Sequence, residues 1–506
     1  MALAAFAGGQ GRREHVDISV GGRANGSGGR RALLSPLAPR ILACHCDGRT
    51  STSCLSPLRC APLEEEGPSG STRQLAGHSL PRSSLTGDIP MSRTRRLNCI
   101  VPPHILYKLL ESEDREVRQA ALDSLLSTAR LRGGREVRAP WVGAAAGHGR
   151  RTIFDCRRGR YLPSAELARS EDGPASSDES VNRAFDGLAR TRDFFSGVLQ
   201  RNSLDDRGMR LDGYVHFDMH YNNAFWDGQQ MIFGDGDGRL FTDFTGSLDV
   251  IAHELTHGVT EFTAGLAYHN QSGALNESMS DVFGTLVKQW SLNQSAETAD
   301  WLIGAEVFTP AIDADALRSM KAPGRAYDNA LFGKDPQPDH MRNFANLPDN
   351  DRGDYGGVHI NSGIPNRAFY LTSARIGGFA WGAPGVIWYE SLKASSVDTQ
   401  FQDFADTTYR KAAELYGDGS AEQLAVLSAW QEVGIRISGV PAGVARARSL
   451  PVRGDGGVGR EDGLAALSKQ IGALSAQVMA LTKEVTALKG KKWPTPVDAG
   501  RSSDGR

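Results

Sequence analysis

Two different spacings of hydrophobic residues divide the central part of this chain. From Leu248 to about Ile437, apolar residues recur every three or four positions, as they do on one face of an α-helix. This pattern predicts helices at 248–263, 277–290, 364–376 and 421–434. Upstream, short apolar runs separated by turn residues predict strands at 215–217, 231–233 and 240–241. A β-rich lobe (150–247) followed by a helical lobe (248–437) predicts an α+β fold with a cleft between the lobes.

A small helical unit is predicted before the β-rich lobe, at 98–149. Pro102 and Pro103 favour a helix start, and an apolar stripe follows from Ile105 to Leu126. The unit ends in a Gly- and Arg-rich junction at 147–151, which we expect to be exposed and cleavable. Residues 1–97 are rich in Arg, Gly, Ser and Pro without helix or strand periodicity, which predicts disorder. The alternative is that translation starts at Met91 and that the preceding residues are a mis-assigned extension.

The C-terminal region carries a heptad pattern. After a linker at 438–462, apolar residues alternate at intervals of three and four over 463–490, and the tail 491–506 is predicted to be disordered. The eight seam positions are Leu464, Leu467, Ile471, Leu474, Val478, Leu481, Val485 and Leu488. Their residue types favour a parallel two-stranded coiled coil and hence a homo-oligomer. The alternative is an amphipathic helix that packs on its own catalytic domain.

Composition limits the classes of function without choosing among them. The 506 residues, 40% hydrophobic and 23% charged, are typical of soluble globular domains, and a net charge of −2 favours neither nucleic acid nor a membrane as partner. All six cysteines lie at or before Cys156, so the bulk of the chain has no disulfides. Cys44-His45-Cys46 matches no defensible zinc pattern. No signal peptide is recognisable, so we expect secretion by a route without one, or alternatively a cytoplasmic protein.

The residues that carry chemistry begin with His253, Glu254 and His257. On a helix, positions i and i+4 share one face, so both imidazoles can reach a single zinc ion with the Glu254 carboxylate beside it. A third ligand is needed, and Glu277 opens a helical run downstream. Asp281 follows one turn later, where it can fix the tautomer of a ligating histidine. These residues predict a hydrolytic zinc site.

Further motifs make the sequence resemble the thermolysin family of zinc metallopeptidases. They comprise His253 to Thr260, Tyr268, Asn276-Glu277 with Asp281, Asn223 to Trp226, Leu317 to Met320, and Asp354 to Gly363. The resemblance runs from about Arg151 to Ile435. It implies a two-lobed peptidase with the zinc site in the cleft. The segment with Cys99, Pro102 and Pro103 resembles the short propeptide of the protealysin-like branch, which implies a zymogen inhibited by its own propeptide.

The resemblance also assigns roles to individual residues. Zinc ligands would be His253, His257 and Glu277, supported by Asn276 and Asp281. Catalysis would use Glu254 as general base and then general acid, with Tyr268 and His359 stabilising the oxyanion and Asp354 orienting His359. Extended substrate would bind at Asn223, Ala224 and Arg318. The residue after the scissile bond would enter an apolar pocket lined by Phe241, Val250, Ile303, Val307 and Leu317, which implies a preference for bulky hydrophobic side chains.

Departures from the family pattern concern calcium and latency. The family's double calcium site needs several carboxylates, and here Lys288, Leu302 and Ala305 stand where acids are expected, although Asp249 and Asp300 persist. We therefore expect at most one Ca²⁺. The Gly/Asp segment 234–238 lacks the spacing of an EF-hand loop and predicts a tight turn instead. Cys99 is expected to be a partly buried propeptide thiol, with a latency ligand to zinc as the alternative.

Two other functions compete with a zinc-dependent neutral endopeptidase. The first is a binding or assembly protein in which the coiled coil presents a peptidase-like domain. A complete set of zinc ligands together with Glu254, Tyr268 and His359 argues against it. The second is an aminopeptidase of the same broad zinc class. It is disfavoured because no Gly-x-Met-Glu-Asn-type motif for a substrate amine precedes His253.

Overall fold

The computed structural model describes residues 98–138 and 149–440. The predicted N-terminal extension, linker, coiled coil and tail lie outside the described residues, apart from the first residues of the linker. The strands are β1 (Asn98–Cys99), β2 (Arg151–Asp155), β3 (Glu166–Ser170), β4 (Leu211–Val215), β5 (Ala224–Trp226), β6 (Met231–Phe233), β7 (Leu302–Ile303), β8 (Arg318–Ser319), β9 (Asp328–Asn329) and β10 (Gly333–Lys334). The helices are α1 (Pro103–Leu109), α2 (Arg115–Arg138), α3 (Glu179–Leu199), α4 (Leu248–Glu261), α5 (Asn270–Leu292), α6 (Asp354–Asn361), α7 (Gly363–Ile376), α8 (Ala383–Lys393), α9 (Phe401–Tyr416) and α10 (Ala421–Glu432).

The N-terminal lobe is built on one mixed sheet. Its strand order is β1-β5-β6-β4-β2-β3, so the strand β1 from the small helical unit occupies one edge. β2 is parallel to β4, and β4 is parallel to β6. β1 pairs antiparallel with β5. The helix α2 lies against the lobe through buried polar contacts, including Asn222 N–H to Ser124 Oγ at 2.9 Å. The small helical unit therefore extends the sheet of the peptidase lobe.

One long helix of this lobe was not predicted. α3 spans 21 residues, and its N-terminus is capped by Asp178, whose carboxylate accepts from the amides of Ser180 and Val181. It buries an apolar stripe that includes Phe185 and Leu188 against the sheet and α4. The predicted strand at 231–233 is present, whereas 240–241 forms only an isolated bridge from Phe241 to Phe308. The tight hairpin turn predicted at 234–238 is not present: 234–237 is irregular, a bend begins at Gly238, and β6 does not pair with 240–241. The Asp237 carboxylate accepts from the backbone amides of Arg239, Leu240 and Phe241.

The second lobe is helical, and α4 and α5 pack closely at its centre. Gly284 on α5 permits this approach, because a Cβ there would lie 2.7 Å from the carbonyl oxygen of Asp249 and 3.3 Å from the amide nitrogen of His253. The predicted helices at 248–263, 277–290, 364–376 and 421–434 correspond to α4, α5, α7 and α10. Within the described part of the chain, no helix combines the length and apolar character needed to cross a membrane. The packing of α4 against α5 brings His253 and His257 close to Glu277.

Candidate active site

Three buried side chains on α4 and α5 converge on one point. The Nε2 atoms of His253 and His257 lie 3.1 Å apart. The Glu277 carboxylate places one oxygen 3.5 Å from His253 Nε2 and the other 3.5 Å from His257 Nε2. All the candidate ligand atoms lie within 4.8 Å of one another. Among the described residues this is the one cluster of its kind, and Cys99 does not belong to it, which gives no support to the thiol as a latency ligand.

The spacing of these atoms fits a zinc ion. A tetrahedral zinc with ligand bonds of about 2.0–2.1 Å holds its ligand atoms roughly 3.3 Å apart. Glu277 Oε2 is buried without a hydrogen-bond partner, as expected of an atom whose role is coordination. Burial opposes ionisation of Glu277, but the neighbouring His359 holds its pKa well below the usual range. Burial also lowers the pKa of His257 to about 3, so that imidazole is neutral and able to ligate.

Outer hydrogen bonds orient both histidines. His253 Nδ1 lies 2.8 Å from Asp281 Oδ1, and His257 Nδ1 lies 2.8 Å from Asn276 Oδ1. These contacts leave each Nε2 free to face the cluster. Two partners were not predicted, namely Ser280 Oγ, 3.0 Å from His257 Nδ1, and Asn366, which donates to Asp281 at 2.8 Å. The period of α5 could have indicated Ser280, because it lies one turn after Asn276.

The Glu254 carboxylate lies next to this cluster. One of its oxygens accepts a hydrogen bond and the other has no hydrogen-bond partner. Oε2 accepts from the backbone amide of Trp226 at 3.0 Å, whereas Oε1 is buried with no hydrogen-bond partner. Burial raises the pKa of Glu254 to about 8. A dication at the adjacent ligands would lower that pKa and favour the carboxylate. Glu254 is therefore oriented by β5, with one oxygen available to exchange a proton.

His359 and Tyr268 approach from the other side. Asp354 accepts from the backbone amide of His359 at 2.8 Å and lies 2.6 Å from His359 Nδ1, which leaves Nε2 facing the site. This arrangement depends on a left-handed turn at the start of α6, where Gly356 has φ +85° and a Cβ would lie 2.2 Å from Asn270 Oδ1. The Tyr268 hydroxyl donates to Glu277 and lies 3.2 Å from His359 Nε2. Both groups can present donors to an oxygen near the cluster.

The main chain of residues 99–101 occupies the cleft as the end of strand β1 and the two bent residues that follow it. His359 Nε2 is 3.0 Å from the Cys99 carbonyl oxygen, and Arg318 donates to the Ile100 carbonyl at 3.0 Å. The Ile100 amide donates to the Ala224 carbonyl at 3.2 Å. The Asn223 side chain accepts from the Val101 amide at 3.0 Å and donates to the Val101 carbonyl at 3.4 Å. All the residues expected to bind substrate main chain thus contact this strand, which the sequence alone did not reveal.

The residues expected to line the apolar pocket lie close to one another. Phe241, Val250, Ile303, Val307 and Leu317 are all buried. The Leu317 amide donates to the Ile303 carbonyl at 3.0 Å, and the β7–β8 pair sets Ile303 opposite Arg318. Ile100 is fully buried in the same hydrophobic cluster. Arg318 also pairs with Asp281 at 2.8 Å, so it links the pocket to the orientation of His253.

A buried lysine on α5, Lys288, forms an ion pair with a carboxylate of α4. Lys288 Nζ lies 3.1 Å from Asp249, 3.1 Å from Asp300 and 3.6 Å from Glu306. Burial opposes the charged form, but these three carboxylates raise the pKa of Lys288 above its usual range. The ammonium therefore stays charged and neutralises part of an acidic cluster.

Comparisons with known proteins agree with this arrangement. Residues 157–261 match the model of the thermolysin metallopeptidase catalytic domain, and 264–435 match that of its alpha-helical domain. An extracellular metalloprotease of Pectobacterium carotovorum subsp. carotovorum is 46% identical over 348 residues, which are 68% of this chain and 98% of the relative. Protease PrtS of Photorhabdus sp. (strain Az29) is 48% identical over 289 residues, 57% of this chain and 76% of the relative.

A solved structure is also similar. The precursor of protealysin, a metalloproteinase from Serratia proteamaculans, superimposes with a TM-score of 0.61 at 44% identity, over 67% of this chain and 99% of that one. The two-lobed architecture expected from the sequence is therefore correct. The chain belongs to the thermolysin family of metallopeptidases and is a zinc metalloendopeptidase.

Proposed function

We propose that this chain is the zymogen of a neutral endopeptidase that cleaves before bulky hydrophobic residues, with Glu254 as general base. One observation carries the proposal. Asn98 and Cys99 pair antiparallel with β5, and Asn223, Ala224, Arg318 and His359 bind the main chain of residues 99–101. An extended peptide bound in this way presents the Cys99 carbonyl to His359 and the following side chain to a buried apolar site. This is the geometry that an endopeptidase needs for a substrate.

The chemistry follows from the positions of the surrounding groups. Zinc held by His253, His257 and Glu277 would lower the pKa of a bound water and polarise the substrate carbonyl. Glu254 Oε1 accepts a proton from the attacking water and delivers it to the leaving amine, while the Trp226 amide holds its other oxygen. His359 and Tyr268 donate hydrogen bonds to the developing oxyanion. Burial opposes the charged form of His359, but Asp354 raises its pKa, so the doubly protonated ring can donate from Nε2 while Nδ1 donates to Asp354.

A peptide library tests the proposed specificity. After the propeptide has been removed, peptides with Leu, Phe or Ile directly after the scissile bond should be cut at least about 10-fold faster than those with Ala there, because larger side chains bury more apolar surface. The cleavage positions are read by mass spectrometry. Equal rates for Leu, Ala and Asp at that position would contradict the proposed pocket.

The proposed latency has a specific anchor in Ile100. Replacing Ile100 with Asp would place an unpaired carboxylate in a buried apolar site, and this cost should favour the undocked strand by roughly 10- to 100-fold. Unprocessed Ile100→Asp protein should therefore hydrolyse a small peptide faster than unprocessed wild type by a similar factor. Tyr107→Asp, on an exposed position of α1, is the matched control. An inactive unprocessed Ile100→Asp chain whose processed form is fully active would contradict inhibition by this strand.

Processing is proposed near residues 147–151, which follows from the exposed composition predicted for that junction. Backbone contacts of Gly149 and Arg151 restrict where cleavage can occur at the C-terminal end of this window. The Gly149 amide donates to the Gly208 carbonyl at 3.0 Å, and Arg151 begins β2 with its amide bound to Glu171 at 2.8 Å. A protease needs extended, accessible chain, so these contacts favour a cut at the start of the window. Mass spectrometry of the processed chain would identify its first residue.

We further propose that the Lys288 ammonium takes the place of a metal ion, so that at most one Ca²⁺ binds. Lys288→Met would leave the buried Asp249 carboxylate without its partner and should cost about 3–5 kcal/mol in the free energy of unfolding. Lys393→Met, which removes an exposed pair with Glu390, should cost under about 1 kcal/mol. Calcium titration of the chelator-treated wild type should show at most one Ca²⁺ bound per chain. Two bound Ca²⁺ ions would contradict the substitution of ion by lysine.

We also propose that the chain is exported and assembles through its C-terminal region. A relative at 46% identity is named an extracellular metalloprotease, which supports export of this chain. Peptidase activity confined to washed cells would contradict export. Homo-oligomerisation through 463–490 stays a prediction, because that segment lies outside the described residues. The mass of the full chain in solution, compared with that of a chain ending at 462, would decide it.

A further inference from the structure

His104 connects the inhibitory segment, defined here as residues 98–110, to the floor of the cleft. It lies in the first turn of α1, directly after Pro102 and Pro103. Its Nε2 is 2.9 Å from the Tyr327 hydroxyl, whereas its Nδ1 is buried with no hydrogen-bond partner. In the neutral ring one nitrogen needs no acceptor, so this arrangement suits a neutral imidazole. In the protonated ring both nitrogens carry a proton, and the one on Nδ1 would be buried without an acceptor.

The charged groups around His104 come from several elements. Asp354 and His359 face it from α6, Arg318 from β8, and Tyr327 from the segment before β9. Asp351, on the turn before α6, lies beside the neighbouring Pro103 and Tyr107 in a small cavity. Burial, together with His359 and Arg318 and against the opposing effect of Asp354, lowers the pKa of His104 to about 4. Released from the cleft, the same side chain would titrate near 6.5.

We propose that His104 makes the docking of the inhibitory segment sensitive to acid: the neutral imidazole fits the cleft, and its protonation favours the undocked strand. The inference rests on the proposed function, because it concerns the segment proposed to block the active site. It assigns a role to a side chain that takes no part in catalysis. Mild acid would then expose the substrate cleft before any peptide bond in the propeptide is cut.

The direction of the effect follows from proton linkage. The pKa of His104 is lower in the docked state than in the undocked state, so the undocked state binds more protons. Its contribution to docking is complete above about pH 6.5 and is lost as the pH falls towards 4. Between pH 7.5 and pH 5 the opening constant should rise about 30-fold from this residue alone.

Other interface groups also respond to acid and set the design of the experiment. Asp218 binds Ser127 of α2 at 2.6 Å, and Arg239 forms ion pairs with Asp114 and Glu116. These carboxylates are identical in a chain with His104 and in a His104→Gln chain. The difference between the two chains therefore isolates the imidazole. Glutamine is neutral at every pH and can still hydrogen-bond the Tyr327 hydroxyl.

Hydrogen exchange of the full chain tests the proposal without relying on catalysis. Both chains carry Glu254→Gln so that neither processes itself. Exchange of peptides covering 98–110 is measured from pH 7.5 to pH 5 and corrected for the intrinsic rate at each pH. The His104 chain should open about 30-fold more at pH 5 than at pH 7.5 beyond any change in the His104→Gln chain. A third chain with Tyr327→Phe should open more at both pH values yet keep the acid response, because it retains the buried imidazole.

The possible outcomes distinguish the role of His104 from the docking of the inhibitory segment. Strong protection at pH 7.5 with the same pH response in the His104 and His104→Gln chains would overturn the role of His104 while leaving propeptide docking intact. Free exchange of 98–110 at pH 7.5 in both chains would instead contradict the proposed inhibitory docking. A larger acid response in His104→Gln would show that Asp354 stabilises the protonated ring and would also overturn the proposal.

Discussion

Asp281→Asn is expected to weaken both zinc binding and the fold. The Asp281 carboxylate is fully buried, lies 2.8 Å from His253 Nδ1, and accepts from Arg318 at 2.8 and 2.9 Å. Burial opposes its ionisation, but the Arg318 guanidinium and His253 hold its pKa well below the usual range. The neutral amide leaves the buried Arg318 cation without a counter-charge, which should cost about 3–5 kcal/mol in the free energy of unfolding. Loss of the anchor for His253 should reduce zinc affinity about 10- to 100-fold.

Two measurements check this prediction. Urea unfolding gives the change in stability, and competition with a chromophoric chelator gives the zinc affinity. Asp172→Asn is the matched control, because its ion pair with Arg150 is on the surface and should contribute under about 1 kcal/mol. Wild-type zinc affinity in Asp281→Asn would contradict its role in orienting His253. Wild-type stability would contradict the importance of its pairing with Arg318.

The candidate ligands His253, His257 and Glu277 could be predicted from sequence because helix geometry fixes the spacing within each helix. His253 and His257 share a face of α4 whatever the tertiary structure, and the four-residue spacing of Glu277 and Asp281 does the same on α5. The positions of Tyr268 and His359 came from the resemblance instead. Nothing in their local sequence dictates that the Tyr268 hydroxyl and His359 Nε2 lie 3.2 Å apart across 91 residues.

Main-chain contacts between distant segments could not be predicted. The amide of Trp226 orients Glu254, and the Cys99 carbonyl meets His359 across 260 residues. Backbone groups are the same for every residue type, so no side-chain pattern marks them.

The helix α3 is a different case, because its local sequence does carry helix signals. Its apolar stripe of Val181, Phe185 and Leu188 has helical spacing, and the Asp178 cap was readable. The prediction of a β-rich lobe over 150–247 did not include this helix.

Glu254→Gln is expected to abolish nearly all turnover while leaving zinc in place. The substitution keeps the shape of the side chain, and the glutamine oxygen can still accept from the Trp226 amide. It removes the carboxylate that takes a proton from water and returns it to the amine, a role worth roughly 100- to 10,000-fold in rate. Self-processing should fail with it, which separates autocatalytic maturation from cleavage by another protease. Glu414→Gln, at an exposed position of α9, is the matched control and should behave as wild type.

The central claim is that Glu254 acts on water at a zinc site formed by His253, His257 and Glu277. It is tested most directly by measuring bound zinc per chain and kcat on one peptide in the same samples of wild type and Glu254→Gln. Both are first processed by the same added protease, and mass spectrometry verifies that both begin at the same residue. The predicted result is one zinc per chain in each protein, with kcat lower in Glu254→Gln by at least about 100-fold. Equal kcat in the two zinc-loaded proteins would contradict the claim.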